Sequence, residues 1–336
     1  MPQKDRKTVP DRVLTSVNEL LALANMPSVA LLYKTVRSKL INSEGPVSAA
    51  QPWCYVQMAF AAACSKRIIE STKDTPYIKE KIETTDKLFD HPQAELYERN
   101  ILNMLAATGP WVVGRGIYRF DPDFCEELAK TEMTKIPYQQ LMNMPEWCTY
   151  IPYVHDRLPE NIKGQFEEYD GFFAYLEEDD RYHVPELRIS NVKISQDESG
   201  RDKIVLEPIF IELISEDLDV CTHRIDFNAL ENEEIGENKS NNYKQLLQDQ
   251  ILYCLQLLLC ICAENIEKTP VNLPAQKTNR QHLKDSQDSN EYMDSCRKWE
   301  VGTRIGAAIR SWKSEKNPER TMLTMAGNAT KSHVHI

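Results

Sequence analysis

Between Gly114 and Tyr153 the chain sets a short aromatic strand directly against a helix start, and this junction limits the fold more than any other segment. Gly116 to Phe120 (Gly-Ile-Tyr-Arg-Phe) has the bulky character of a strand. Asp121 then stands where an N-cap belongs and Pro122 at the first helical position. Asp123, Glu126 and Glu127 follow near the end of the helix whose dipole favours negative charge. A second aromatic run, Trp147 to Tyr153, comes after a Met-Pro-Glu turn. Strand, capped helix, turn and strand in succession predict a mixed region in which rings bracket a helix.

At 336 residues the chain is long enough for one large or two ordinary domains. With 11 glycines it fits neither a fibrous nor a low-complexity class. The most apolar piece, residues 251–262, is about half the length of a membrane span and reads as a buried helix. The charged start Met-Pro-Gln-Lys-Asp-Arg lacks the apolar core of a signal peptide, so a cytoplasmic protein without a membrane partner is expected. Nine scattered cysteines, mostly inside apolar runs, read as buried reduced thiols. Charge is uneven. Residues 151–240 hold 23 acidic against 9 basic side chains, whereas residues 297–336 hold 8 basic against 3 acidic. The acidic middle suits a basic partner or a solvated surface, and the basic end suits phosphates.

The pattern predicts an α+β protein in three regions. Residues 1–110 form a helical N-terminal region, with helices from Asp11, from Pro27 through Leu40, over residues 49–70, and from Gln93 to Leu105, ending at Gly109-Pro110. Residues 111–240 form a mixed acidic region around an antiparallel, aromatic-rich sheet. Its strands begin with residues 171–176. Leu187 and Ile189 alternate, then Val192 and Ile194 alternate one residue out of phase, which predicts a bulge or two separate strands. Residues 203–206 and 209–214 continue a meander, and Val220 to Phe227 adds a further strand. Residues 241–336 comprise a long buried helix (Asn241 to Cys262), a polar linker or arm (Lys268 to Ser289), and a basic element with a helix from Arg304 to Trp312.

Familiar catalytic patterns fail on their own chemistry. Ala326 to Ser332 has the end of a phosphate-binding loop, but Met325 and Thr330 occupy the glycine positions. Cys221 and His223 would share a strand face without a second ligand pair, and Cys260 and Cys262 diverge on a helix. Glu186 could open a metal-nuclease pattern, yet Asn191-Val192-Lys193 lacks the central carboxylate. No catalytic residue, metal or cofactor is therefore assigned, and no small-molecule substrate is expected. What remains are rings set among acids. Trp111, Tyr118, Trp147, Tyr150, Phe172 and Tyr175 are candidates for gripping a basic, apolar peptide, or else they fill a core. Arg304, Arg310 and Lys313 are candidates for nucleic-acid contact, which leaves open an RNA-associated regulator of a mobile element.

The order of several motifs resembles the type V-A anti-CRISPR family, in the branch of the AcrVA series that lowers effector mRNA. The matching residues are Gly116-Ile-Tyr-Arg-Phe-Asp121, Leu141-Met-Asn-Met-Pro-Glu-Trp-Cys-Thr-Tyr150, the leucine-rich helix ending at Glu264, Asn272-Leu273-Pro274, and Val301-Gly-Thr-Arg-Ile-Gly-Ala-Ala-Ile-Arg310. The likeness covers roughly residues 95–310 and departs at the end, where the family carries a tail rich in Arg, His and Trp. It implies a non-enzymatic phage or mobile-element antagonist that binds the nascent N-terminal segment of the effector nuclease in the host cytoplasm. Loss of the translated mRNA would follow, with the ribosome or host RNA-decay machinery as further partners.

Overall fold

The computed structural model describes residues 7–32, 57–72, 92–179, 184–196, 200–217, 221, 237–271 and 296–316. Three helices open the chain: α1 (Val9–Leu23), α2 (Gln57–Thr72) and α3 (Pro92–Gly114). Strand β1 (Gly116–Phe120) runs into α4 (Pro122–Leu128), and α5 (Tyr138–Leu141) precedes β2 (Cys148–Pro152). After a short 3-10 turn come α6 (Glu160–Phe166), β3 (Gly171–Asp179), β4 (Val184–Gln196) and β5 (Asp202–Glu212). The 26-residue helix α7 (Glu237–Cys262), β6 (Lys268–Val271), β7 (Arg297–Val301) and α8 (Thr303–Lys316) complete the order. The seven strands form one sheet in the order β5-β4-β3-β2-β1-β7-β6.

The α+β class and the antiparallel meander β3 to β5 agree with the sequence, and β2 joins it as a further antiparallel strand. Two pairings differ, because β1 lies parallel to both β2 and β7. The reason is connectivity: α4 and α5 carry the chain back over the sheet between β1 and β2, as a parallel crossover requires. Helices cover both faces. On one, α7 packs with Tyr118, Phe172, Leu187, Ile189 and Ile211. On the other, α1, α2 and α3 pack against Ile117, Tyr150, Phe173, Tyr175, Val192 and Leu206.

Burial on both faces explains a second difference. β4 is one strand with unbroken register against both neighbours, from Glu186 opposite Glu212 to Gln196 opposite Asp202. The apparent slip arises because Leu187 and Ile189 face α7 whereas Val192 faces the N-terminal helices. The alternation changes phase because the apolar demand changes side, not because the backbone bulges.

Helix α3 also runs farther than expected. It passes through Pro110 to Gly114, so the predicted break and the region boundary at residue 110 fall inside a helix. Proline removes one ladder bond and costs about 3 kcal/mol in a helix interior. Here Trp111 and Val112 are buried just beyond it, and the Trp111 indole donates to the Gly116 carbonyl at 3.0 Å. Full burial of such a ring contributes about 3 kcal/mol or more, which offsets the loss. Arg115 then takes a left-handed backbone (φ 57°) that turns the helix into β1.

The start of the expected linker is strand β6, paired antiparallel with β7 from Lys268 opposite Val301 to Val271 opposite Lys298. Of the predicted Val220 to Phe227 strand only Cys221 is described, and it is helical and buried, with its thiol on the Ser215 carbonyl at 3.1 Å. His223, residues beyond Leu32 in the second predicted helix, and the remainder of the linker lie outside the described residues. None of the eight described cysteines is in a disulfide, and among the described residues no helix is long and apolar enough to cross a membrane.

Candidate functional site

The Met142–Trp147 loop is fixed by a carboxylate wedged against bare backbone. The Glu146 side chain lies over the junction between α3 and β1, where it accepts the Gly116 amide at 2.7 Å and the Tyr118 hydroxyl at 3.4 Å. A Cβ added at Gly114 or Gly116 would sit 2.2 Å or 2.4 Å from its oxygens, so only glycine leaves the carboxylate its place. Burial raises the Glu146 carboxyl to about 7, against the Gly116 amide, the Arg297 charge and the Tyr118 hydroxyl, which favour ionisation. Near neutral pH this group is poised between its two forms. Tyr118 itself stacks on Trp299, with ring centroids 6.3 Å apart.

Beside this wedge lies an open depression of about 410 Å3. One wall is the Met142–Trp147 loop. The other is the end of α7, at Cys262, Ala263 and Glu264, with Lys268 at its edge. Two side chains satisfy the last carbonyls of α7: Gln140 donates to Leu259 O and the Lys268 ammonium to Ile261 O, both at 2.8 Å. These are the helix positions at which a cation is favoured.

A second constellation joins α4 to α8. Asp121 caps α4 as its sequence predicts, accepting the amides of Asp123 (3.1 Å) and Phe124 (3.3 Å). Arg310 reaches across from α8 and donates to Asp121 at 2.9 and 3.0 Å and to Asp123 at 2.8 Å. These carboxylates raise the guanidinium's pKa above its ordinary value. Lys313 adds contacts to Glu126 (3.4 Å) and Glu127 (3.3 Å). The approach is possible because a Cβ on Gly306 would lie 1.8 Å from Asp121. Gly302, at φ 72°, likewise makes room for the Phe124 ring. Glu267 caps α8 from outside, accepting the Thr303 hydroxyl at 3.0 Å and the Arg304 amide at 2.8 Å. Glu267 and Lys268 thus hold α8 and α7 from adjacent positions.

This arrangement corrects the expected basic surface. Arg310 and Lys313 are matched by acids of α4, and only Arg304, with 90% of its side chain exposed, points outward from the trio. The basic arm is drawn onto the negative residues at the start of α4, an attraction between segments nearly two hundred positions apart that no local pattern reveals.

The expected ring surface is corrected as well. Trp111, Tyr150 and Tyr175 are buried under the N-terminal helices, and Tyr118 and Phe172 under α7. Trp147 is also buried at 8% exposure, but it lines the depression, where a candidate ring and two carboxylates adjoin an open hollow. The residues that sequence reasoning missed are Glu146, Met142, Met144 and Glu264. The signal for Glu146 was present in the unexplained pair Gly114 and Gly116, which only a close non-local neighbour requires. The incomplete nuclease pattern on β4 is structural, since Glu186 pairs with Arg188 at 2.7 Å and Asn191 accepts the Tyr153 hydroxyl at 2.6 Å. Among the described residues no three His, Cys, Asp or Glu side chains cluster to hold a metal ion.

The family model described as AcrVA2-like, the anti-CRISPR type V subtype A2 family, matches residues 118–335. Protein FinQ from Escherichia coli is 24% identical over 223 residues, 62% of this chain, and the match spans 61% of that relative's length. The crystal structure of AcrVA2 aligns over 91% of this chain and 88% of its own, at 16% identity and a TM-score of 0.49.

Proposed function

This chain belongs to the anti-CRISPR type V subtype A2 family, and we propose that it suppresses production of a type V-A CRISPR effector by binding the effector's nascent N-terminal segment. Loss of the message under translation follows from that capture, executed by host RNA-decay machinery acting at the ribosome. The observation that carries this reading is the family match over residues 118–335, which contains the glycine-held loop, the end of α7 and the arm α8.

The depression beside Glu146 supports peptide capture. Its volume suits one or two side chains, not a folded surface. Methionines and a tryptophan on one wall give adaptable apolar contact, and carboxylates on both walls favour a basic segment. So small a site gives modest affinity for a free peptide, on the order of micromolar, because ordering an extended chain consumes much of the contact energy.

The test is to express a type V-A effector with its native N-terminal segment or with one whose amino-acid sequence is altered, with and without this protein, and quantify effector mRNA. Loss of the native message with sparing of the segment-altered one is expected. Equal message in all four cultures overturns the proposal.

A further inference from the structure

We infer that the depression between the Met142–Trp147 loop and the end of α7 is a seat for a primary ammonium carried on an apolar stem. The inference rests on the peptide reading and names the group the peptide places there. Three independent features of the hollow select that chemistry. The first is its floor, the carboxyl end of a 26-residue helix, where the aligned peptide dipoles leave partial negative charge. The second is the pair of carboxylates on opposite walls, Glu264 exposed on the α7 side and Glu146 wedged on the loop side. Together they repel a phosphate or a carboxylate ligand. The third is the apolar lining of Met142, Met144 and Trp147, which suits an aliphatic stem and offers a ring face or edge near a cation.

The chain already contains the interaction in miniature. Lys268 lays its own four-carbon stem along the edge of the hollow and donates its ammonium to Ile261 O at 2.8 Å. A ligand ammonium would enter beside it, with Glu146 and Glu264 supplying the charge that Lys268 leaves uncompensated. The groups facing Glu146 are the Gly116 amide, Tyr118, Arg297 and Cys148, and across the hollow Glu264 and Lys268. Because burial holds the Glu146 carboxyl near 7, an arriving cation draws it into the ionised form and expels a proton.

Two sources carry this chemistry in a peptide, the N-terminal α-ammonium of an apolar residue and a lysine side chain. The full chain with 13C-methyl-labelled methionines is titrated with methionine amide, with Nα-acetyl-lysine amide, and with N-acetylmethionine amide as the uncharged control. Saturable shifts of the Met142 and Met144 methyls are expected with at least one ammonium probe and not with the control. Which ammonium probe binds tighter names the source. With Nα-acetyl-lysine amide, whose ammonium stays charged throughout, affinity is expected to rise severalfold from pH 6 to pH 8 as Glu146 ionises, and Glu264→Gln, a surface change that spares the fold, to weaken it about fivefold. Equal binding of the acetylated control, or no shift with any probe, overturns the assignment. So does an affinity indifferent to both Glu264→Gln and Glu146→Gln. The proposed function fails separately, if ammonium probes bind as expected while effector mRNA is unchanged in cells.

Discussion

The two faces of the sheet are built by the same strands and held by different means. Toward α1, α2 and α3 the contacts are apolar, with Val17, Leu21, Ile101, Leu105, Phe173 and Tyr175 interleaved. That side also holds a largely buried ion pair, Arg188 with Glu177 beside Tyr175, and further polar contacts lie at its margin. Arg12 pairs with Asp202 at 2.7 Å, and Asn100 closes the edge of β5 by donating to Ile204 O at 2.9 Å and accepting Leu206 N at 3.0 Å. Toward α7 the packing includes buried polar pairs, Cys125 with Tyr253 at 3.0 Å and Tyr153 with Asn191 at 2.6 Å. The outer elements beside it, the Met142–Trp147 loop and α8, rest on close approaches at Gly114, Gly116, Gly302 and Gly306. The first face needs volume and the second needs shape. A core that needs only volume accepts many sequences, whereas a carboxylate lying on a glycine accepts one.

The contrast can be broken most sharply at Gly306. Gly306→Leu should cost about 3 kcal/mol, or free α8 altogether, because its Cβ would enter the Asp121 carboxylate. The matched change on the other face, Leu21→Met, should cost less than about 1.5 kcal/mol. Urea unfolding of both variants decides it, and equal costs would erase the distinction between the faces.

Next comes Glu146→Gln. Burial raises the folded carboxyl from 4.5 to about 7, so the folded state binds more protons than the unfolded state between those values. The wild type therefore loses stability as pH rises through that window. The variant should match it at pH 5 and exceed it by about 2 kcal/mol at pH 8, read as Tm at the two pH values. A wild-type advantage at pH 8 would mean that the wedge stabilises through its charge.

Arg310→Gln should be smaller, about 1 kcal/mol, because nearly half of the side chain is exposed and solvent screens the pair. Its clearest mark should be faster proteolysis in α8, with added salt making the wild type behave more like the variant. Smallest is Arg12→Ala on the volume-dependent face, where an exposed ion pair contributes less than about 0.5 kcal/mol. A loss as large as that at Arg310 would show that charge matters equally on both sides.

Local chemistry made much of this readable. Asp121-Pro122 marks the start of α4 because a cap is satisfied within four residues, and residues 251–262 declare a buried helix by their density of leucine and isoleucine. Long-range relations were hidden. A ring on a strand covered on both sides has the same local spelling as a ring on a surface, so Tyr150 and Phe172 gave no sign of opposite burial. The helix through Pro110 depends on the Trp111 indole finding Gly116, and the neutralised arm depends on Arg310 meeting Asp121. Of the candidate site, the Trp147 loop was legible as a motif. Its partner, the end of α7, is brought there by the packing of that helix against α4, α5, α6 and the sheet.

Glu267 and Lys268 are neighbours in the chain, yet one grips the start of α8 and the other the finish of α7. They act as a coupling pin between the hollow and the arm. A single peptide bond therefore joins the residue that closes one helix to the residue that opens the next.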